Sequence, residues 1–103
     1  MPRGVKKKNR TKSKKRIKKI LEDVPEDKRF WVCDGRVLKN LKELEQALRT
    51  MSDETYRYHV NKMKNDFYNW IKDVFKDKKL ALEIKKSRNR ISAANKLKRV
   101  LKI

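Results

Sequence analysis

The 103-residue chain carries 32 Lys and Arg residues against 13 Asp and Glu, so its formal net charge is +19. Its length leaves room for one domain at most, and a hydrophobic content of 37% is low for a chain that must bury a core along its whole length. No apolar run approaches the roughly 18 residues that span a bilayer, and the segment IKKIL is too short for a signal peptide, so neither is expected. The single Cys33 cannot form an internal disulfide, which is typical of proteins in a reducing, cytoplasmic compartment.

The N-terminal segment is strongly cationic. Residues 1–19 contain eleven basic side chains, no acidic ones and few apolar ones. Such a segment cannot bury enough apolar surface to offset the entropy of ordering, so we expect a basic arm that is disordered on its own. Residues 12–22 allow a short helix, which the proline after Val24 ends. Residues 20–29 are interpreted as a linker between this arm and a folded domain.

A β-hairpin is predicted next. Two short β-prone runs, FWVC and RVL, flank Asp34-Gly35, the preferred dipeptide of a two-residue type I′ turn. Asn40 then has the features of a helix N-cap, and Glu43, three residues on, completes a capping box. A first core helix of about ten residues follows, because apolar residues recur there at helical spacing. These residues are Leu41, Leu44, Ala47, Leu48 and Met51.

The central stretch YRYHVNKMKNDFYNWIKDVFKD, residues 56–77, holds six of the eight aromatic residues. Its apolar residues recur at steps of three and four, which predicts one stripe on a helix. Ser52 is expected to cap a helix before this stretch, and Asn65-Asp66 favours a break of the stretch into two helices. The stripe consists of Tyr56, Val60, Met63, Phe67, Trp70 and Val74, widened by Ile71 and Phe75.

The rest of the chain is also helix-prone. Asp77 is expected to cap a helix whose inward residues are Leu80, Ala81 and Ile84. From Arg88 onward, one helical side carries Ile91, Ala94, Leu97 and Leu101. The predicted fold is mainly α with α+β character: a short β-hairpin followed by three to four helices. The compact domain is expected to span residues 30–84, with a basic C-terminal helical extension over residues 85–103.

Residues 30–84 resemble a small domain family of unknown function found in archaea and bacteria. The matching features are the aromatic start of the hairpin, NLKEL, YHVN, NDFYNWIKDVF and a following LA. The resemblance covers about half of the chain and implies a compact, mostly helical fold, but no activity and no catalytic residues. The family pattern has Gly where this sequence has Lys76, so the turn after Phe75 is expected to differ. The basic ends lie outside this resemblance, and they resemble the extensions of ribosomal proteins.

His59 and Asp66 are the pair that suggests acid–base catalysis. On one continuous helix they would lie on the same face two turns apart, beyond a direct hydrogen bond. No Ser, Cys or second His accompanies them at a useful spacing, since Cys33 is remote in sequence, so we interpret His59 as structural. No metal, cofactor or phosphate-binding glycine loop is predicted, and the protein is expected not to be an enzyme.

Three aromatic residues fall off the apolar stripe, namely Trp31, Tyr58 and Tyr68. Their rings could stack on unpaired bases of a nucleic acid. A tryptophan in a hairpin also commonly seals the edge of a small core, so both interpretations of these rings stay open.

The basic ends give the strongest functional indication. Residues 1–19 and 85–103 contain no acidic residue and combine Lys and Arg with Asn and Ser, which supply charged and neutral hydrogen-bond donors to phosphate. This composition predicts binding to nucleic acid rather than a merely solvated charged face. The predicted RNA-binding residues are Arg3, Lys6, Lys7, Lys8, Arg10, Lys12, Lys14, Lys15, Arg16, Lys18, Lys19, Lys85, Lys86, Arg88, Arg90, Lys96, Lys98, Arg99 and Lys102.

The sequence therefore predicts a ribosomal protein, a structural constituent of the ribosome that binds ribosomal RNA through two cationic arms, with an archaeal origin expected. Its expected partners are ribosomal RNA and neighbouring ribosomal proteins, with no small-molecule substrate and no membrane. A DNA-binding, chromatin-type protein is the main alternative, although no helix-turn-helix, zinc-finger or basic-zipper signature is present. A basic membrane-surface binder is less favoured because residues 84–103 lack Trp and Phe, and a small enzyme because no catalytic constellation is present.

Overall fold

A computed structural model describes residues 22–102, so the predicted basic arm at 1–19 and nearly all of the helix predicted at 12–22 lie outside the described residues. Within them, the predicted fold class is confirmed, because a short antiparallel hairpin precedes a set of α-helices. No helix of this part of the chain is both long and apolar enough to cross a membrane. The strands are β1 (Phe30–Trp31) and β2 (Val37–Leu38), and the helices are α1 (Leu41–Thr50), α2 (Asp53–His59), α3 (Asp66–Val74), α4 (Lys78–Lys85) and α5 (Arg90–Leu101).

The hairpin is confirmed, but the predicted two-residue type I′ turn is wrong. The Gly35 N–H donates to the Val32 carbonyl at 2.9 Å, and the Val32 N–H donates to the Arg36 carbonyl at 2.8 Å. Cys33 and Asp34 are therefore the centre of the turn, and Gly35 follows it at a φ of +104°. A type I′ turn would need a positive φ at Asp34 as well. Asp34 instead accepts hydrogen bonds from the backbone and the guanidinium of Arg36, which favours the longer loop.

Each helix begins at a side chain that accepts a hydrogen bond from the backbone N–H three residues on. Four of these caps were predicted from the sequence and are confirmed, whereas the cap of α5 was not predicted. The Glu43 carboxylate also accepts a hydrogen bond, from the N–H of Lys39 at 2.9 Å. The predicted capping box would have this bond come from the N–H of Asn40, one residue later. The capping residues are Asn40, Ser52, Asn65, Asp77 and Asn89.

The aromatic stripe is broken where Asn65 suggested. Helix α2 ends at His59, and Val60 forms an isolated antiparallel bridge with Asn65, so the chain reverses direction between α2 and α3. Met63 lies in this reversal and is 91% exposed, so its predicted place in the stripe is wrong. The physical reason is that the Asn65 cap competes successfully with a continuous helix, which would have required residues 60–65 to stay helical.

The aromatic core centres on Phe67, which is fully buried. Its ring lies 4.9 Å from the ring of Phe30 and 6.0 Å from that of Tyr56, which ties the hairpin to α2 and α3. Trp70 packs edge-on against Phe75 at 5.0 Å, and its indole N–H donates to the carbonyl of Lys28 at 2.7 Å. That bond attaches the end of the predicted linker to the core, so residues 24–29 do not form a free connection.

Helix α5 belongs to the core, although residues 85–103 were predicted as an extension of a domain ending at residue 84. It packs along α1 and also contacts α4. Ala93 and Ala94 are fully buried, and such small side chains let the two helix backbones approach closely. Ile91, which was expected to face inward, is instead 39% exposed, and Ala93 occupies the inward position. The core therefore extends as far as Leu101.

Lys76 follows α3 with a φ of +58°, in the left-handed region that favours glycine. The lysine thus occupies a turn conformation that a glycine would adopt at lower cost.

Replacing Trp70 by Ala should destabilise the fold by roughly 3–5 kcal/mol, because it removes a buried ring and its hydrogen bond to Lys28. The matched control is Trp31→Ala, since Trp31 is 69% exposed, and it should cost less than about 1 kcal/mol. Urea unfolding followed by circular dichroism gives both values. Equal losses of stability for the two variants would contradict the burial of Trp70.

Candidate nucleic-acid interface

His59 contacts Asp66 directly, so the predicted separation beyond hydrogen-bonding distance is wrong. The His59 Nδ1 and Asp66 Oδ2 atoms are 2.9 Å apart, because the reversal at residues 60–65 brings the start of α3 back against the end of α2. The backbone N–H of Cys33, remote in sequence, donates to the other ring nitrogen of His59, Nε2, at 3.1 Å. The three residues thus lie together in space.

In this arrangement, His59 has a structural role. Because Nε2 accepts a hydrogen bond from a backbone N–H, the ring proton lies on Nδ1 and is donated to the Asp66 carboxylate. The ring is 4% exposed and packs against Phe30 and Phe67. Both ring nitrogens are therefore engaged within the protein. Within residues 22–102, no group of three or more His, Cys, Asp or Glu side chains could hold a metal ion.

Asp66 connects this buried ring to the surface. Burial opposes its ionisation, but hydrogen bonds from His59 and Lys64 and the charge of Lys64 outweigh that effect, so the pKa of Asp66 is lowered. The ammonium of Lys64 lies 3.0 Å from the carboxylate. The turn at residues 61–64 is thereby attached to α3 by an ion pair as well as by its backbone.

Six of the eight predicted RNA-binding residues in the C-terminal segment are exposed, and none of the six forms an ion pair with another residue of the 22–102 range. On α5, the helical period places Arg99 opposite the buried Ala93 and Leu97, and Lys102 follows the helix as its exposed C-terminal cap. The outward side of α5 is therefore cationic and lacks acidic residues. The six are Lys85, Lys86, Arg88, Lys98, Arg99 and Lys102. The eleven predicted residues of the N-terminal arm lie outside the described chain.

The other two predicted residues make internal contacts. Arg90 donates to the carbonyls of Leu48 and Arg49 at 3.0 and 2.8 Å and pairs with Asp53 at 2.9 Å, so it closes the C-terminal end of α1. Lys96 donates to the carbonyl of Glu83 at 3.1 Å. Both side chains join α5 to neighbouring helices, and no local sequence pattern indicates this.

The three aromatic residues outside the stripe have different surroundings. Trp31 and Tyr58 are 69% and 59% exposed, whereas Tyr68 is half-buried. The ammonium of Lys64 lies 4.7 Å from the centre of the Tyr58 ring. The ammonium groups of Lys72 and Lys85 lie 5.1 and 5.0 Å from the centre of the Tyr68 ring. Aromatic rings and cations thus lie side by side on α2, α3 and α4, a combination found in single-strand-binding surfaces.

The lysines beside these rings, other than Lys85, were not among the predicted RNA-binding residues. The acid-free ends of the sequence, where the cationic charge is densest, indicated RNA binding more strongly than the lysines of the central stretch. A usable signal was nevertheless present, since a break at Asn65 implies an exposed loop that includes Lys62 and Lys64.

Asp66→Asn should remove part of the pH dependence of stability. The pKa of Asp66 in the folded state lies below its ordinary value of 3.8, so the carboxylate contributes its full stabilisation of the fold above pH 3.8. That stabilisation is lost as the pH falls through the lower, folded-state pKa. The free-energy difference between the natural chain and the variant should therefore shrink on acidification. Urea unfolding between neutral and strongly acidic pH measures it. Asp73→Asn, at a carboxylate 67% exposed, is the control and should show little difference throughout.

Comparisons with known proteins give no relative for this chain. No protein-family model matches it, and no curated protein or solved structure is significantly similar to it. The resemblance to a small helical family and to ribosomal extensions remains a prediction from the sequence.

Proposed function

We propose that this protein is a structural constituent of the ribosome that binds ribosomal RNA without catalysis, and that it does so in the cytoplasm of an archaeal cell. The N-terminal arm and the C-terminal segment supply the cationic contacts, and neighbouring ribosomal proteins are further partners.

One observation carries the proposal. The last acidic residue of the chain is Glu83, and the exposed side of α5 and the turn before it present only cationic and neutral side chains. Like charges crowded on one surface repel each other, and a polyanion removes that repulsion while releasing its own condensed counterions. Phosphate is therefore the chemistry that this surface fits best.

Two features favour RNA over DNA. The cationic residues lie on an arm and on a separate helix, and such an arrangement suits an irregular folded RNA better than the regular surface of a duplex. Exposed Trp31 and Tyr58 provide rings for unpaired bases, which double-stranded DNA does not offer. A DNA-binding, chromatin-type protein remains the second candidate because the same cations would also bind its phosphates.

The cationic side of α5 should contribute directly to binding. A variant that combines Lys98→Ala, Arg99→Ala and Lys102→Ala should weaken RNA binding and reduce the salt slope by about 0.7 for each phosphate that is no longer neutralised. A control that combines Lys42→Ala, Lys78→Ala and Lys79→Ala removes the same charge from exposed positions of α1 and α4. Fluorescence anisotropy over a series of salt concentrations compares them. Equal weakening by both variants would mean that net charge, rather than the α5 surface, determines affinity.

Salt should separate specific from non-specific binding. For about six phosphate contacts, affinity for unstructured RNA and duplex DNA should fall by roughly a thousandfold between 50 and 200 mM salt. The protein should still bind folded ribosomal RNA at the higher salt, because shape complementarity and contacts to unpaired bases add to the electrostatic part of the affinity. Competition between ribosomal RNA and excess duplex DNA at about 200 mM salt is the measurement. Equal displacement by both would overturn the ribosomal proposal and favour the DNA-binding alternative.

A further inference from the structure

The reversal between α2 and α3 is a compact, ordered loop. The Asn61 N–H donates to the Lys64 carbonyl at 2.9 Å, and the Asn61 side chain accepts from the N–H of Met63 at 2.9 Å. Val60 pairs with Asn65 at the base of the loop. Lys62 and Met63 therefore lie at the tip of a loop whose backbone is fixed by its own hydrogen bonds, so a ligand would meet a surface that needs little ordering.

A groove of about 410 Å³ lies between this loop, α3 and the end of α4. This volume is within the range of sites that take small molecules or single nucleotides. Its lining contains no acidic side chain, and its polar side chains are three lysines, three asparagines and Tyr68. The lysines and asparagines are Lys62, Lys64, Lys85, Asn61, Asn65 and Asn69.

Two of these amides have unused hydrogen-bonding groups. Asn65 accepts from the N–H of Tyr68 through its side-chain oxygen, so its NH₂ group has no partner among the described residues. The Asn69 side chain is exposed and makes no hydrogen bond with any residue of the 22–102 range. An amide presents an acceptor and two donors, which match the edge of an unpaired base.

The cations and rings around the groove are arranged for a phosphate next to a base. The ammonium of Lys85 lies beside the Tyr68 ring, and that of Lys64 lies beside the exposed Tyr58 ring. Lys64 also pairs with Asp66, so most of the available positive charge comes from Lys62 and Lys85. A base stacked on the ring contributes more than an ammonium beside it, so a nucleotide can displace the lysine from the Tyr68 ring.

We propose that this groove binds an unpaired nucleotide of RNA, with Asn69 on the base edge, Tyr68 against the base, and Lys62 and Lys85 on the flanking phosphates. The proposal rests on the RNA-binding function proposed above and gives it a second contact surface, distinct from the arm and from α5. An acidic peptide is a poorer occupant, because it would use the lysines but leave the amides and rings unmatched.

The test compares two double variants of the full chain. Lys62→Ala with Asn69→Ala removes one cation and one amide from the groove, and Lys42→Ala with Gln46→Ala removes the same groups from exposed positions of α1. All four positions are exposed, so both variants should unfold at the same temperature as the natural chain. Anisotropy is measured with a short unstructured RNA and with a blunt RNA duplex of the same sequence.

The groove variant should bind the unstructured RNA at least about fivefold more weakly than the control variant, which is the smallest effect expected from removing one hydrogen-bonding partner of a base. Binding to the duplex should fall equally in both variants, because each has one cation fewer than the natural chain. If the natural chain binds neither RNA, the proposed function itself fails. If it binds both and the two variants behave alike, only the groove assignment is overturned.

Ultraviolet crosslinking of the unstructured RNA provides a readout that does not depend on variants. Mass spectrometry should find a crosslinked peptide within residues 58–69, where Tyr58, Met63 and Tyr68 lie. Crosslinks confined to residues 1–19 and 86–102 would overturn the assignment. Displacement of the RNA from the groove by an acidic peptide of matched charge would overturn it as well and indicate a protein partner.

Discussion

His59 accepts a hydrogen bond from the backbone of Cys33 and donates one to Asp66, and the positions of the hairpin, α2 and α3 depend on these two contacts. A buried polar ring left without partners would cost free energy, whereas here both nitrogens are satisfied. The contacts also hold the chain reversal in place, because Asp66 begins α3 immediately after the loop. The ring thus stabilises, from within, the corner beside which the exposed loop and the groove lie.

The distribution of charge follows from how the acidic side chains are used. Many of them are engaged inside the fold: Asp77 caps a helix, Asp53 pairs with Arg90, and Glu45 pairs with Arg49. All acidic residues lie before residue 84, so the cations of α5 and its preceding turn have few partners of their own. A surface with a surplus of one sign attracts the opposite charge from outside. The three carboxylates make their contacts within the fold, and the exterior of α5 stays cationic.

Much of the fold could be predicted from the sequence, because the decisive signals are local. A cap requires only an acceptor side chain and an N–H three residues away, so Asn40, Ser52, Asn65 and Asp77 could be recognised one at a time. Buried positions at helical spacing were recognised for the same reason. Met63 was assigned wrongly because the periodicity continued across a break, and Ile91 because Ala93 takes the inward position near the start of α5. The predicted type I′ turn at Asp34-Gly35 was wrong, because the Asp34 carboxylate accepts hydrogen bonds from the backbone and the guanidinium of Arg36 in a longer loop.

The sequence by itself determined the helical class, four of the five helix caps and the separation of an acid-free C-terminal segment, since these follow from composition and spacing. Only the tertiary structure decided that His59 meets Cys33 and Asp66, that Arg90 and Lys96 face inward, and that α5 completes the core. Each of these contacts joins residues whose proximity depends on how the helices pack. Hydrogen bonding and burial over such separations are properties of the packed chain, and no local pattern encodes them.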